Sequence, residues 1–196
     1  MQPAAARTTR PLSLEQQREE FARSRFLAMP LAGTIAWLVV ALCGALLPPA
    51  WQVWSLYLAT GSIFGLGLLI ARVTGEDLLG KTRPKNEFDG LFMASVVSAW
   101  LVFAIAVPFV QVDYTSLPLT VGILAGLMWL PFSWIIRHWI GYFHGIVRTV
   151  ALVVAWYLWP DQRFVVLPLV IVAVYAVTLV VLARRPRSLP VLAAFA

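Results

Sequence analysis

From Leu27 to Ala71 the chain carries no Asp, Glu, Lys, Arg or His. A membrane-crossing helix needs about 20 mainly apolar residues, so this one run has room for two. Lipid offers no partner to backbone N–H and C=O groups, which leaves helices and closed barrels as the structures able to cross it. Further apolar runs follow, and the last, residues 164–183, is rich in valine but carries no charge over its length. We read it as helix rather than strand. The expected fold is therefore all-α, a polytopic membrane protein of six transmembrane helices.

The spans are expected at about 26–47, 52–71, 90–110, 117–136, 139–159 and 164–183. Residues 1–25 form an amino-terminal arm, of which 1–12 lack periodicity. Ser13 with Gln16 three residues on has the capping-box pattern and starts a short amphipathic helix. Leu14 and Phe21 are its main apolar points, and Glu19 and Arg23 are spaced to pair. Pro48 and Pro49 end the first span, and Trp51 and Trp54 mark an interface. Residues 72–89 are the one long charged connector, and residues 184–196 a basic tail.

Composition excludes a soluble domain: 61% of residues are hydrophobic and 12% charged, and the mean hydropathy is +0.83. The single cysteine, Cys43, allows no disulfide framework and reads as core filling. The leucine before it is too large for a lipoprotein cleavage site, and the leader is too polar for a cleaved signal peptide. With the amino terminus inside, Arg7, Arg10, Arg18, Arg23, Arg25, Arg72, Lys81, Arg83, Lys85, Arg137, Arg184, Arg185 and Arg187 fall on the cytoplasmic side. The outer loops hold Arg163 alone. This bias places both termini in the cytoplasm. The basic excess is expected to meet anionic lipid headgroups; no motif accompanies it that would indicate nucleic acid.

Three spans carry Gly-x-x-x-Gly: Gly61 with Gly65, Gly122 with Gly126, and Gly141 with Gly145. Small residues at this spacing let helix backbones approach closely. They are expected to pack the bundle internally, with homodimerisation through one such face as the alternative.

The stretch 130–148 holds both histidines and Arg148. At 100° per residue Arg137, Gly141, His144 and Arg148 share one helical face, and Arg148 would lie near the middle of the hydrocarbon layer, where an arginine costs about 2.5–3.5 kcal/mol. No span carries a carboxylate to neutralise it. Hydroxyls are the candidate partners: Thr60, Ser62, Ser95, Ser98, Tyr175 and Thr178. Two readings stand. One is an interhelical hydrogen-bond knot, or an arginine reaching back to lipid phosphate. The other is an anion or headgroup pocket open to the cytoplasm, with Arg137 and Arg148 as charge partners and His144 titrating. His138 points away from the stripe. Two histidines without a nearby acid or cysteine make no metal site, and no catalytic set is visible, so neither enzyme activity nor a cofactor is expected.

The segment Leu130-Pro131-Phe132-Ser133-Trp134-Ile135-Ile136-Arg137, with Tyr142 soon after, resembles a family of small bacterial membrane proteins catalogued as a domain of unknown function. Phe64-Gly65-Leu66-Gly67-Leu68-Leu69-Ile70-Ala71-Arg72, with Asn86 before the third span, is similar to the same family. The resemblance runs over nearly all of the chain after residue 13. It implies a six-helix protein of the bacterial inner membrane and supplies no activity.

The expected function is non-enzymatic binding or passage of a small anionic or amphipathic molecule at the cytoplasmic half of the fifth span. The alternative is a scaffold that acts through its glycine faces and basic surface. A strict transporter would show two similar halves with broken helices. Residues 26–110 and 117–183 show no such repeat, and Pro108, Pro131 and Pro168 lie near span ends.

Overall fold

The computed structural model describes residues 12–80 and 86–186. The outermost residues of the arm and tail, with Lys81, Arg83, Lys85 and Arg187, lie outside them. All regular structure among the described residues is helical: α1 (Leu14–Ala22), α2 (Ala28–Leu46), α3 (Pro49–Gly61), α4 (Ile63–Thr74), α5 (Glu87–Leu101), α6 (Phe103–Val112), α7 (Ser116–Gly126), α8 (Trp129–Ile135), α9 (Ile140–Leu158) and α10 (Arg163–Arg184). The all-α expectation holds. Five helical segments are long and apolar enough to cross a membrane: α2, α9, α10 with the short 3₁₀ turn before it, and the near-continuous pairs α5–α6 and α7–α8. The pair α3–α4 makes a sixth if counted as one span, bent by 46°.

Packing centres on α2 and α10, and α9 lies against α7, α8 and α10. Glycines set the closest approach of α2 to α10. A Cβ at Gly44 would run into the Phe164 carbonyl, and one at Gly33 would stand 2.5 Å from the Tyr175 hydroxyl. The segment α5–α6 is the least buried of the long ones.

One end of the bundle is closed by α1. The Ser13–Gln16 capping box forms. Phe21 is buried, whereas Leu14 is exposed, so a single residue anchors the apolar stripe. Polar ties hold the rest. Gln17 takes hydrogen bonds from the Asn86 side chain and the Glu87 N–H at the head of α5. Arg18 lies over the Trp134 ring at 4.1 Å. Arg185 donates to the carbonyls of Ala22 and Ser24 at 2.6 and 3.1 Å, a cation at the carboxyl end of a helix.

No residue local to α2 caps it. The chain turns at Phe26, whose backbone is left-handed (φ 57°). The cap then comes from Glu76 beyond α4, whose carboxylate accepts from Leu27 N at 3.1 Å and Ala28 N at 3.3 Å. Two otherwise orphaned donors and the positive end of the helix dipole meet one anion. Glu76→Ala is expected to lower stability by about 1–2 kcal/mol, read as a reduced unfolding midpoint in detergent. An unchanged midpoint would mean that water serves the two donors equally well.

Candidate functional site

Arg148 stands about 12 Å along α9 from its first residue and is 1% exposed. Space for its stem comes from α7: a Cβ at Gly126 would sit 3.2 Å from Arg148 Cδ and 3.3 Å from Nε. Two aromatic faces flank the charge, Trp37 and Tyr175, with ring centroids 5.6 and 5.7 Å from Cζ. Such faces offset part of the desolvation of a cation.

A directed chain of hydrogen bonds starts from the guanidinium. Thr178, fully buried, gives its hydroxyl proton to the Val174 carbonyl at 2.8 Å. Its oxygen therefore accepts from His144 Nδ1 at 2.9 Å. With the ring proton assigned to Nδ1, Nε2 is free to accept from Arg148 Nη1 at 3.2 Å. The imidazole is also clamped between rings, stacked on Trp129 at 4.2 Å and edge-on to Tyr175 at 4.6 Å. His144 is thus an orienting group for Arg148, held in one tautomer.

The other two nitrogens of Arg148, Nε and Nη2, are buried and make no hydrogen bond. Among the described residues no carboxylate forms an ion pair with it. Arg148 lines a cavity of about 80 Å³ walled otherwise by apolar and aromatic side chains and Thr60. The cavity lies where three helical segments are interrupted. Thr60 and Ile63 flank the break at Ser62, Trp100 and Phe103 the break at Val102, and Ala125 and Trp129 the break at residues 127–128. The backbone stays right-handed helical at Ser62, Val102, Leu127 and Met128, and Leu66 N and Ala106 N donate to the Ser62 and Val102 carbonyls, so these are kinks in continuous segments, the largest the 46° bend of α3–α4.

Arg137 does not join this group. Helix α9 begins at Ile140, and Arg137 lies in the preceding connection with a left-handed backbone (φ 47°). A shared helical face with His144 and Arg148 presumed a helix that does not extend that far. Arg137 instead forks onto Glu15 of α1, Nη1 to Oε1 at 2.7 Å and Nη2 to Oε2 at 3.0 Å. Of the candidate hydroxyls, Thr178 and Tyr175 reach the His144–Arg148 group. Thr60 lines the cavity but donates to Leu56, while Ser62 and Ser98, exposed, and Ser95, half-buried, donate to their own helices. The glycines divide in the same way. Gly141 packs on the Trp129 carbonyl and Ser133, Gly145 on Leu130, Gly122 on Leu152 and Gly126 on Arg148. Gly61 and Gly65 have nothing within 4 Å of a Cβ among the described residues.

Trp37 and Trp129 were not singled out from the sequence. The signal was there, since tryptophan favours membrane interfaces and both lie deep within apolar segments, at 1% and 7% exposure. No group of three or more His, Cys, Asp or Glu residues that could hold a metal ion occurs among the described residues.

The chain belongs to a family of unknown function (DUF7010), whose model matches residues 14–185. No curated protein and no solved structure matches the chain.

Proposed function

We propose that the protein is a multi-pass membrane protein that binds or passes a small anionic or amphipathic molecule at the Arg148 cavity, without enzymatic chemistry. The observation that carries this reading is the pair of buried, unpartnered nitrogens, Nε and Nη2, on an arginine that lines a cavity. Arg18 and Arg163, which tie the two ends of the bundle, each leave Nε alone without a hydrogen bond, whereas Arg148 leaves two nitrogens.

In this reading the chain crosses a bacterial inner membrane six times, with α3–α4 as one bent span and both termini cytoplasmic. Charge distribution supports the orientation. Arg18, Arg23, Arg25, Arg72, Arg137, Arg184 and Arg185 gather at the α1 end of the bundle. At the opposite end Arg163 is the one arginine among the described residues, paired with Asp113 at 3.5 Å and stacked on Trp156.

Native mass spectrometry of the protein released gently from its own membrane tests the proposal. A bound small molecule or lipid is expected, and it is expected to be lost in Arg148→Gln while insertion and yield stay unchanged. Equal loss of yield would make Arg148 structural.

A second reading, a scaffold or homodimer, is favoured by the open Gly61–Gly65 face. Under it a partner or second copy co-purifies and is lost on Gly61→Leu.

A further inference from the structure

We propose that an open pocket where α1 meets the ends of α4 and α5 holds the headgroup of an amine-bearing phospholipid, its phosphate on Arg23 and Arg25 and its ammonium toward Asp77 and Asp89. The site is separate from the Arg148 cavity and takes from the proposed function only that the bundle lies in a membrane.

Arg23, Ser24 and Arg25 belong to the link from α1 to α2, and all three line this pocket of about 290 Å³. Both arginines are exposed, so their guanidinium groups are accessible to a ligand. Their company differs from that of Arg18, Arg137 and Arg185. Arg18 pairs with Glu15 and lies over Trp134, Arg137 forks onto Glu15, and Arg185 donates to two carbonyls. Arg23 and Arg25 make no ion pair and no side-chain hydrogen bond among the described residues, although Glu19 is spaced to pair with Arg23. Two guanidinium groups and a hydroxyl on consecutive residues are donors suited to the charged oxygens of a phosphate.

The same pocket also carries the opposite sign. Asp77 and Asp89 line it, with Glu76, whose carboxylate already caps α2. A carboxylate has about four lone-pair sites, so one that has a protein partner still accepts from an ammonium. Carboxylates beside the arginines repel a second negative charge and attract a cation, which is the pattern of a phosphate that carries an amine. Size agrees. A cavity of about 150 Å³ holds benzene, so about 290 Å³ takes a group near twice that size, the scale of glycerol-linked phosphoethanolamine.

Position and apolar surface make the ligand a lipid rather than a soluble phosphate. The pocket residues precede α2, follow α4 and open α5, three apolar helices, so the pocket lies at headgroup level, where these segments leave the hydrocarbon layer. Phe26, Leu78 and Phe92 wall both the pocket and an apolar crevice lined further by Met29 and Pro30. At about 30 Å³ the crevice takes roughly two methylene-sized groups, the first of a chain whose remainder stays in the bilayer.

The full chain, stripped of lipid in detergent, is titrated with dioleoyl-phosphatidylethanolamine, -phosphatidylcholine and -phosphatidylglycerol, and bound lipid is counted by native mass spectrometry. The ethanolamine lipid is expected to bind about fivefold more tightly than the choline lipid, which has no N–H donor, and than the glycerol lipid, which has no cation. Arg23→Gln combined with Arg25→Gln is expected to abolish that preference, and Arg148→Gln to leave it intact. Equal or tighter binding of either other lipid would overturn the proposal, and so would an unchanged preference in the folded double variant or its loss in Arg148→Gln. Glycerophosphoethanolamine displacing the lipid at equal concentration would also overturn it, making the ligand a soluble phosphate. The lipid series uses the wild-type chain, so a double variant that fails to fold leaves the proposal open to refutation. If the preference holds while Arg148→Gln loses no bound molecule, the reading of the Arg148 cavity falls and this one stands. If Arg148→Gln loses a molecule and no lipid preference exists, the reverse is true.

Discussion

Gly141→Ala is expected to lower stability by about 3 kcal/mol, while Gly65→Ala raises it by up to about 1 kcal/mol. Both glycines stand in Gly-x-x-x-Gly pairs on apolar helices, so sequence makes them equivalent. Their surroundings do not. A Cβ at Gly141 would run into the Trp129 carbonyl and stand 2.7 Å from Ser133 Cβ and 3.0 Å from its Cα. Backbone cannot swing aside as a side chain can, so α9 must move off α8. Ser133 makes that movement expensive, because its hydroxyl donates to the His138 carbonyl and accepts from Tyr142 N. At Gly65 the added methyl enters open space, and alanine's better helix propensity is all that remains. Unfolding midpoints of the two variants in one detergent decide it. A destabilised Gly65→Ala, together with loss of a dimer, would show that face to be covered by a second copy and would favour the scaffold reading.

What sequence made legible follows from how strongly lipid constrains a chain. An uncharged run from Leu27 to Ala71 must become helix, and Ser13 with Gln16 three residues on must begin one. Arg148 stood out because an arginine is costly among apolar neighbours, and Tyr175 and Thr178 were within reach of any account of its partners. The misplacement of Arg137 has a specific cause. A helical wheel presumes a continuous helix, and the left-handed backbone at Arg137 turns the chain before α9 begins. Pro131, the visible signal nearby, sits inside α8 without ending it. The interruptions were hidden for related reasons. Gly61 and Gly126 are the last residues of α3 and α7, and both were read as packing residues only. Val102 carries no local signal at all. The cavity depends on side chains from nine helices, α2 to α10, which is tertiary information that no window of sequence contains.

His144→Leu is expected to lower stability by about 3–5 kcal/mol, whereas Arg148→Met is expected to be neutral or stabilising by about 1–4 kcal/mol. The asymmetry arises because Nη1 has its one acceptor in His144 Nε2. Removing the imidazole leaves a buried cation whose remaining polar neighbour is the Tyr175 side chain, since Nε and Nη2 make no hydrogen bond of normal length. It also leaves the Thr178 oxygen without a donor from the ring and removes the ring stacked on Trp129. Removing the cation instead takes away the costliest buried group and replaces it with an apolar chain of similar length. What is lost is its contact with the Trp37 and Tyr175 faces, worth about 0.5–2 kcal/mol. The double variant should therefore recover much of what His144→Leu loses, a coupling visible in a four-protein cycle of unfolding midpoints. Binding should run the other way: Arg148→Met loses any molecule that co-purifies with the wild type at the Arg148 cavity although it folds as well or better. If Arg148→Met instead loses as much as His144→Leu, the guanidinium is a strut between α9 and α10, and the chain's function lies on its surface.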